Sequence, residues 1–211
     1  MKTFIADELE AYAQDHTRPE PDLLIDLIAK THLTMDSPQM LTGRVEGRFL
    51  KLLVQIVQPR LVVEVGMFTG YSALSMAEGL PEDGRIITCD IDPEARDMAQ
   101  AAFDASPLGH KIEIRMGPAI NTLRQLEQTI DFSFIDADKK AYPVYYEEIL
   151  ARTRPGGLIL MDNMFLSGRV LDPRDDAAKA VAKLNHDLAH DDRVENVLLT
   201  IRDGVQLIRK K

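Results

Sequence analysis

Residues 61–72, Leu-Val-Val-Glu-Val-Gly-Met-Phe-Thr-Gly-Tyr-Ser, constrain the fold more than any other stretch of the chain. The short run 61–65 is rich in β-branched residues and reads as a buried strand of a parallel sheet, covered by helices on both faces. The run breaks at Gly66 and Gly70, and residues 72–78 resume with Ala73, Leu74, Met76 and Ala77 as the apolar stripe of a helix. Strand, glycine turn and helix together open a nucleotide-binding α/β domain. Small residues in the turn let a ligand lie against the backbone, and the helix start offers free N–H groups.

Glu64 narrows the ligand. It stands where a dinucleotide fingerprint has its first glycine, and a carboxylate there repels a pyrophosphate. It suits a ligand with a positive charge and no phosphate, which disfavours a nicotinamide dehydrogenase. S-adenosylmethionine (SAM) has a sulfonium, an ammonium group and ribose hydroxyls, and the segment resembles the SAM-binding turn of class I methyltransferases.

The rest of the chain supports such a domain. Residues 1–60 read as helical, with helices over 4–13, 22–32 and 44–57 and a loop over 34–42; they form a helical lid on the sheet. From residue 61, strands at 61–65, 85–90, 111–116, 131–136, 158–161, 194–201 and 205–209 alternate with helices at 72–78, 93–103, 118–126, 142–152 and 175–188. Pro155-Gly156-Gly157 reads as a turn, and the last two strands as a hairpin through Arg202-Asp203-Gly204. The expected fold is α/β and Rossmann-like: a doubly wound, mainly parallel seven-stranded sheet with an antiparallel C-terminal hairpin strand and helices on both faces. A single domain, 1–211, is expected, with a helical cap over 1–60 and an α/β core over 61–211.

Net charge of −9 over 211 residues makes a polyanion an unobvious partner. The single cysteine, Cys89, excludes an internal disulfide, sits in an apolar strand pattern and suits a reducing compartment. No stretch approaches the ~20 apolar residues of a membrane helix, and a cytoplasmic protein with no membrane partner is expected.

In doubly wound sheets ligands bind beyond the carboxyl ends of the strands. Asp90 lies 24 residues after Gly66, near the offset at which an acid meets ribose hydroxyls. Asp92, directly before Pro93, suits a helix cap instead. Gly117-Pro118-Ala119 is a small-residue turn able to pass under an adenine ring. Asp136 ends one strand, and Asp162-Asn163 end the next. If those strands are neighbours, two carboxylates and an amide oxygen converge, a hard-oxygen set suited to Mg²⁺. Asp138 reads as a solvent-facing acid or a helix cap in preference to a substrate contact, and Lys140 as a solvent-facing lysine. Met40, Tyr142, Met164 and Phe165 are candidate pocket walls that by spacing alone are equally core.

The ordered set Glu64-x-Gly66-x-x-x-Gly70-Tyr71-Ser72, Asp90-Ile91-Asp92, Gly117-Pro118-Ala119, Asp136-Ala137-Asp138-Lys139 and Asp162-Asn163 resembles the cation-dependent O-methyltransferases, including the caffeoyl-CoA and catechol enzymes and their small bacterial relatives. The likeness runs over about residues 34 to 211 and takes in the ending Ile201-Arg202-Asp203-Gly204-Val205. It implies that Asp136, Asp162 and Asn163 bind a divalent cation, Mg²⁺ before Ca²⁺ or Mn²⁺. It implies a SAM site of Thr42, Glu64, Gly66, Ser72, Asp90 and Ala119, joined by Met67, Gly70 and Asp136, with Thr42 lying before the Glu46-Gly47 pair. Lys139 falls at the position of the family's catalytic lysine, and Asp136 stands beside it in the reaction. The implied acceptor is a catechol-like vicinal diol on a small molecule, and the implied assembly a homodimer through the N-terminal helices. Where the plant enzymes carry a Trp and an Asn after Asp-Asn, this chain has Leu166 and Ser167, so the likeness carries the chemistry and not the acyl-CoA acceptor. Two other readings are a tRNA hydroxyuridine methyltransferase, which a basic stripe of Arg44, Arg48, Lys51 and Arg209-Lys210-Lys211 would support, and a non-catalytic SAM-binding protein. Lys139 and the intact ligand set oppose the latter.

Overall fold

A computed structural model describes residues 5–211. Three helices come first: α1 (Asp7–Asp15), α2 (Asp22–Thr34) and α3 (Arg44–Val57). The expected first helix began at Phe4, which lies outside the described residues. There follow β1 (Leu61–Val65), α4 (Tyr71–Ala77), β2 (Arg85–Asp90), α5 (Pro93–Ala105), β3 (Ile112–Met116), α6 (Ala119–Gln125) and β4 (Ile130–Ile135). The chain closes with α7 (Tyr142–Arg152), β5 (Thr153–Met161), α8 (Asp176–Leu188), β6 (Val194–Leu199) and β7 (Val205–Lys210).

Among the described residues the seven strands form one sheet in the order β3-β2-β1-β4-β5-β7-β6. β1 to β5 are parallel neighbours, and β7 runs antiparallel between β5 and β6. The order reverses at β1 and β4, so their carboxyl ends flank the crevice where such sheets bind ligands.

The alternation of side chains divides the core. Leu61, Val63, Val65, Ile87 and Ile135 pack under Leu123 of α6, Ile149 of α7 and Val181 of α8. Val62, Ile86, Phe132 and Phe134 face the other way, onto Leu50 and Val54 of α3 and Met76 of α4. α3 is therefore packed on the sheet as a layer of the sandwich. Leu24 and Leu27 of α2 pack with Tyr71, Ala99 and Phe103. Among the described residues before β1, Met40, Leu41 and Thr42 of the segment between α2 and α3 reach over the strand ends.

One expected boundary is wrong. Pro155-Gly156-Gly157 is not a turn before β5 but a bulge inside it. The register jumps from Ile130↔Thr153 to Phe132↔Leu158, with Gly156 at φ +77°. Side chains satisfy carbonyls that the ladder loses: Arg154 Nη1 donates to the Pro155 carbonyl at 3.2 Å, and Lys210 Nζ donates to the Thr153 carbonyl at 2.8 Å. Within strands, proline is confined to edges, first positions and bulges, and glycine often marks a bulge.

Candidate active site

The strand ends continue the ladder by one residue each. Gly66 N donates to Cys89 O at 3.0 Å, Asp136 N to Val65 O at 2.8 Å and Asp162 N to Ile135 O at 3.0 Å. This places Gly66, Asp136 and Asp162 side by side along the sheet edge. Gly66 has φ +97°, and a Cβ built on it would lie 1.9 Å from the Asp136 carbonyl oxygen. Only glycine lets β1 and β4 end this close. Gly70, at φ +89°, starts α4 where a Cβ would strike the Phe103 ring.

A cavity of about 440 Å³ opens above these ends. Its wall includes Thr42, Gly66, Met67, Ser72, Asp90, Ala119, Asp136, Lys139 and Asn163, nine of the positions picked out by sequence. Gly70 shapes the turn without lining it. The Asp90 carboxylate is already engaged: Oδ2 accepts from Met67 N (2.9 Å) and Phe68 N (2.7 Å), and Oδ1 from Ile91 N and Asp92 N. It therefore clasps the glycine turn as well as facing the cavity. Asp92 caps α5 through Glu94 N and Ala95 N, and Asp138 caps the turn at Lys139–Ala141 through Lys140 N.

Glu64 does not face the cavity. Alternation along β1 turns it, like Val62, toward the α3–α4 side, where it is fully buried. Thr88 donates to Oε2, and Oε1 has no hydrogen-bond partner among the described residues. Burial pushes its carboxyl up to about 8, against the opposing pull of the Ser72 and Thr88 hydroxyls. The charge argument drawn from Glu64 thus fails in this geometry; the carboxylates in the cavity wall are those of Asp90, Asp92, Asp136 and Asp138. A carboxyl raised on folding contributes stability that is complete below its unfolded value and is lost as pH rises through about 8. Unfolding midpoints of the ligand-free protein at pH 5 and pH 9 test this. Glu64→Gln should remove a pH-dependent loss on the order of 4 kcal/mol; parallel pH profiles for the two proteins would refute the assignment.

Asp162, behind Asp136, is 1 % exposed. Its Oδ1 accepts from Asn163 N at 2.7 Å, while its buried Oδ2 has no hydrogen-bond partner among the described residues. Burial, Glu46 and Asp136 together raise its pKa well above the carboxylate range. Among the described residues no three His, Cys, Asp or Glu side chains converge as a ligand set; the candidate set is two carboxylates and an amide. A buried carboxylate oxygen that accepts no hydrogen bond, among repelling acids and with only the Arg202 guanidinium 3.8 Å away, fits a divalent cation.

Lys139 Nζ donates to Asp136 Oδ1 at 2.7 Å and to the Tyr142 hydroxyl at 2.6 Å. That hydroxyl lies 3.1 and 3.0 Å from the Ile135 and Asp162 carbonyl oxygens. Burial first, then Asp136 and Asp162, hold Tyr142 well above the usual phenol range. Tyr142 and Met164 are thus core residues, not walls; Met40 does line the cavity, and Phe165 packs over Gly204. Lys140 is exposed, 3.7 Å from Asp176.

The family model described as O-methyltransferase matches residues 14–211. The chain belongs to the O-methyltransferase family. A Dictyostelium discoideum protein named probable caffeoyl-CoA O-methyltransferase 2 is 37% identical over 207 residues, covering 94% of this chain and 90% of that one. Caffeoyl-CoA O-methyltransferase 2 of Zea mays is 40% identical over 185 residues, covering 81% and 70%. Among solved structures, an SAH-bound methyltransferase of Podospora anserina superposes with a TM-score of 0.90 at 27% identity over 100% of both chains. An O-methyltransferase of Bacillus cereus in complex with SAH gives 0.89 at 29% identity over 97% of each. The enzyme is a SAM-dependent O-methyltransferase with the Rossmann-like fold of these neighbours.

Sequence reasoning missed part of this methyltransferase's site. Ile91 is 73 % exposed at the cavity wall, an isoleucine stranded between two acids; that misplaced apolar residue was the available signal. Phe68 and Tyr145 also line it, and nothing in their spacing marked them. Four residues of the basic stripe that would support the tRNA reading are engaged elsewhere. Arg48 is buried against Glu78 at 2.6 Å, Lys51 joins the same carboxylate at 2.8 Å, and Arg44 pairs with Glu20 at 2.5 Å. Lys210 is spent on the Leu150 and Thr153 carbonyls. Among the described residues no helix is long and apolar enough to cross a membrane.

Proposed function

We propose that this O-methyltransferase moves the methyl group of SAM to one hydroxyl of a catechol-like vicinal diol on a small molecule, with a divalent cation, Mg²⁺ foremost, at Asp136, Asp162 and Asn163. The observation that carries the reading is the buried Asp162 Oδ2, which accepts no hydrogen bond among the described residues and has only Arg202 Nη1 at 3.8 Å, behind Asp136 in the wall of a cavity lined by Thr42, Gly66, Asp90 and Ala119. When bound, the cation would supply charge that favours the ionised form of the diol. The chain supplies the rest. Lys139, anchored between Asp136 and Tyr142, holds its Nζ at the same edge to take the hydroxyl proton or steady the oxyanion. The glycine turn and Asp90 fix the cofactor side, so the rate arises mainly from aligning oxygen and methyl carbon. Met40 and Leu41 line the cavity and would help to keep water from the reacting atoms.

The deciding assay follows labelled methyl from SAM to caffeic acid. Product is expected with Mg²⁺, and at least a hundredfold less with EDTA, in line with the several kcal/mol a cation supplies. Turnover indifferent to the chelator would remove the cation from the reading. Cation-dependent turnover of tRNA alone would replace the small diol as acceptor.

A further inference from the structure

Arg202 sits in the turn between β6 and β7 at φ +48°, a left-handed conformation that costs an arginine backbone energy. The surrounding turn holds it there: Asp203 Oδ1 accepts from Ser167 N at 2.7 Å, Asp203 O accepts from Phe165 N at 2.8 Å, and Gly204 lies under the Phe165 ring. The guanidinium is thereby driven into the interior between two parts of the protein far apart in sequence. On one side its Nη1 donates to Glu46 Oε2 of α3 and its Nη2 to the Leu41 carbonyl at 3.3 Å. On the other, the same Nη1 stands 3.8 Å from Asp162 Oδ2, the oxygen with no hydrogen-bond partner among the described residues. Leu41 lies between Met40 and Thr42, all three in the cavity wall.

We infer that Arg202 is a positioning residue that couples the α2–α3 loop over the SAM cavity to the cation site, so that cation and cofactor strengthen each other's binding. The inference rests on the cation site proposed above. Its physical basis is the sharing of one guanidinium between two buried carboxylates. A dication on Asp162 satisfies that carboxylate and repels the nearby Nη1. Among the described residues the other partners of the guanidinium, Glu46 and the Leu41 carbonyl, are both on the loop side, so that contact tightens and holds Met40-Leu41-Thr42 over the cavity. By linkage, a loop held down by the cofactor keeps the guanidinium on Glu46 and leaves Asp162 to the cation, with the same factor in both directions.

The test is binding, not turnover. SAH affinity is measured by calorimetry in EDTA and in saturating Mn²⁺, and Mn²⁺ affinity by electron paramagnetic resonance with and without SAH. In the wild type each ligand should tighten the other by about fivefold or more, by equal factors. The double variant Glu46→Gln/Arg202→Met removes both charges at nearly constant volume. It should still bind both ligands, with the mutual factor reduced to within about twofold of unity. Glu46→Gln alone, which leaves the Leu41 contact, should give an intermediate factor and serves if the double variant does not fold. A wild-type factor near one with Mn²⁺ still bound overturns the inference and spares the cation site. An undiminished factor in either variant overturns the role of Arg202. Failure of the wild type to bind Mn²⁺ at all removes the cation site and the inference with it.

Discussion

Replacing Asp136 with alanine is expected to lower methyl transfer by about a thousandfold or more, the scale of a lost cation contribution of several kcal/mol. Two losses coincide in this variant. One of the two candidate carboxylate ligands disappears, and Lys139 Nζ loses the oxygen that holds it at 2.7 Å. The fold should not suffer in proportion. Asp136 lies among acids, and its charge raises the pKa of both Glu46 and Asp162. Removing it relieves that repulsion, so the thermal midpoint should stay or rise. The glycine turn and the Asp90 clasp are untouched, so SAH affinity should change by less than about tenfold, or about 1.4 kcal/mol. Steady-state kinetics, calorimetry with SAH and a melting curve on the same preparation check all three. Equal losses of turnover and SAH binding would sink the division between a cation side and a cofactor side.

Replacing Gly66 with alanine should be the most damaging single change to the fold at this edge. The added Cβ would stand 1.9 Å from a carbonyl oxygen and 2.6 Å from its carbon, both backbone atoms of Asp136, so no rotamer change relieves the clash. The ends of β1 and β4 must separate, which strains the Asp136 N to Val65 O bond of 2.8 Å. The positive φ adds a further about 1–2 kcal/mol. A total cost of about 4–5 kcal/mol places this variant in the diagnostic tail of point mutations and corresponds to a fall of about 10–15 °C in Tm for a chain of this size. SAH binding should fall with it, because the same backbone forms the cavity floor. Gly117→Ala is the control: its φ is +115°, but a Cβ there meets nothing within 4 Å among the described residues. It should lose only the backbone strain, about 1–2 kcal/mol. Similar melting points for the two variants would show that the approach of β1 to β4 is not what requires Gly66.

The order of strands and helices, the glycine turn and the acids at the strand ends were all legible in the sequence, because each is a local pattern: a period, a breaker, a residue type following a run. Adjacency of Asp136 and Asp162 followed from ordinary sheet topology, and β4 and β5 do pair. What tertiary structure alone decided depends on which side of an element a residue falls, or on partners far away in the chain. Glu64 shares the motif of Gly66, yet the period of the strand turns it into the α3–α4 layer and burial raises its carboxyl. Pro155 and Gly156 read as a turn because no local pattern reports that the Arg154 and Lys210 side chains donate to the Pro155 and Thr153 carbonyls of a bulge. Arg202 and Glu46 are 156 positions apart; each alone is an ordinary charged residue. Only packing the last hairpin against α3 makes them a buried pair beside Asp162. Sequence determined which chemistry the edge of this sheet can carry; long-range packing decided which side chains reach it, because burial and charge compensation depend on neighbours that no local pattern names.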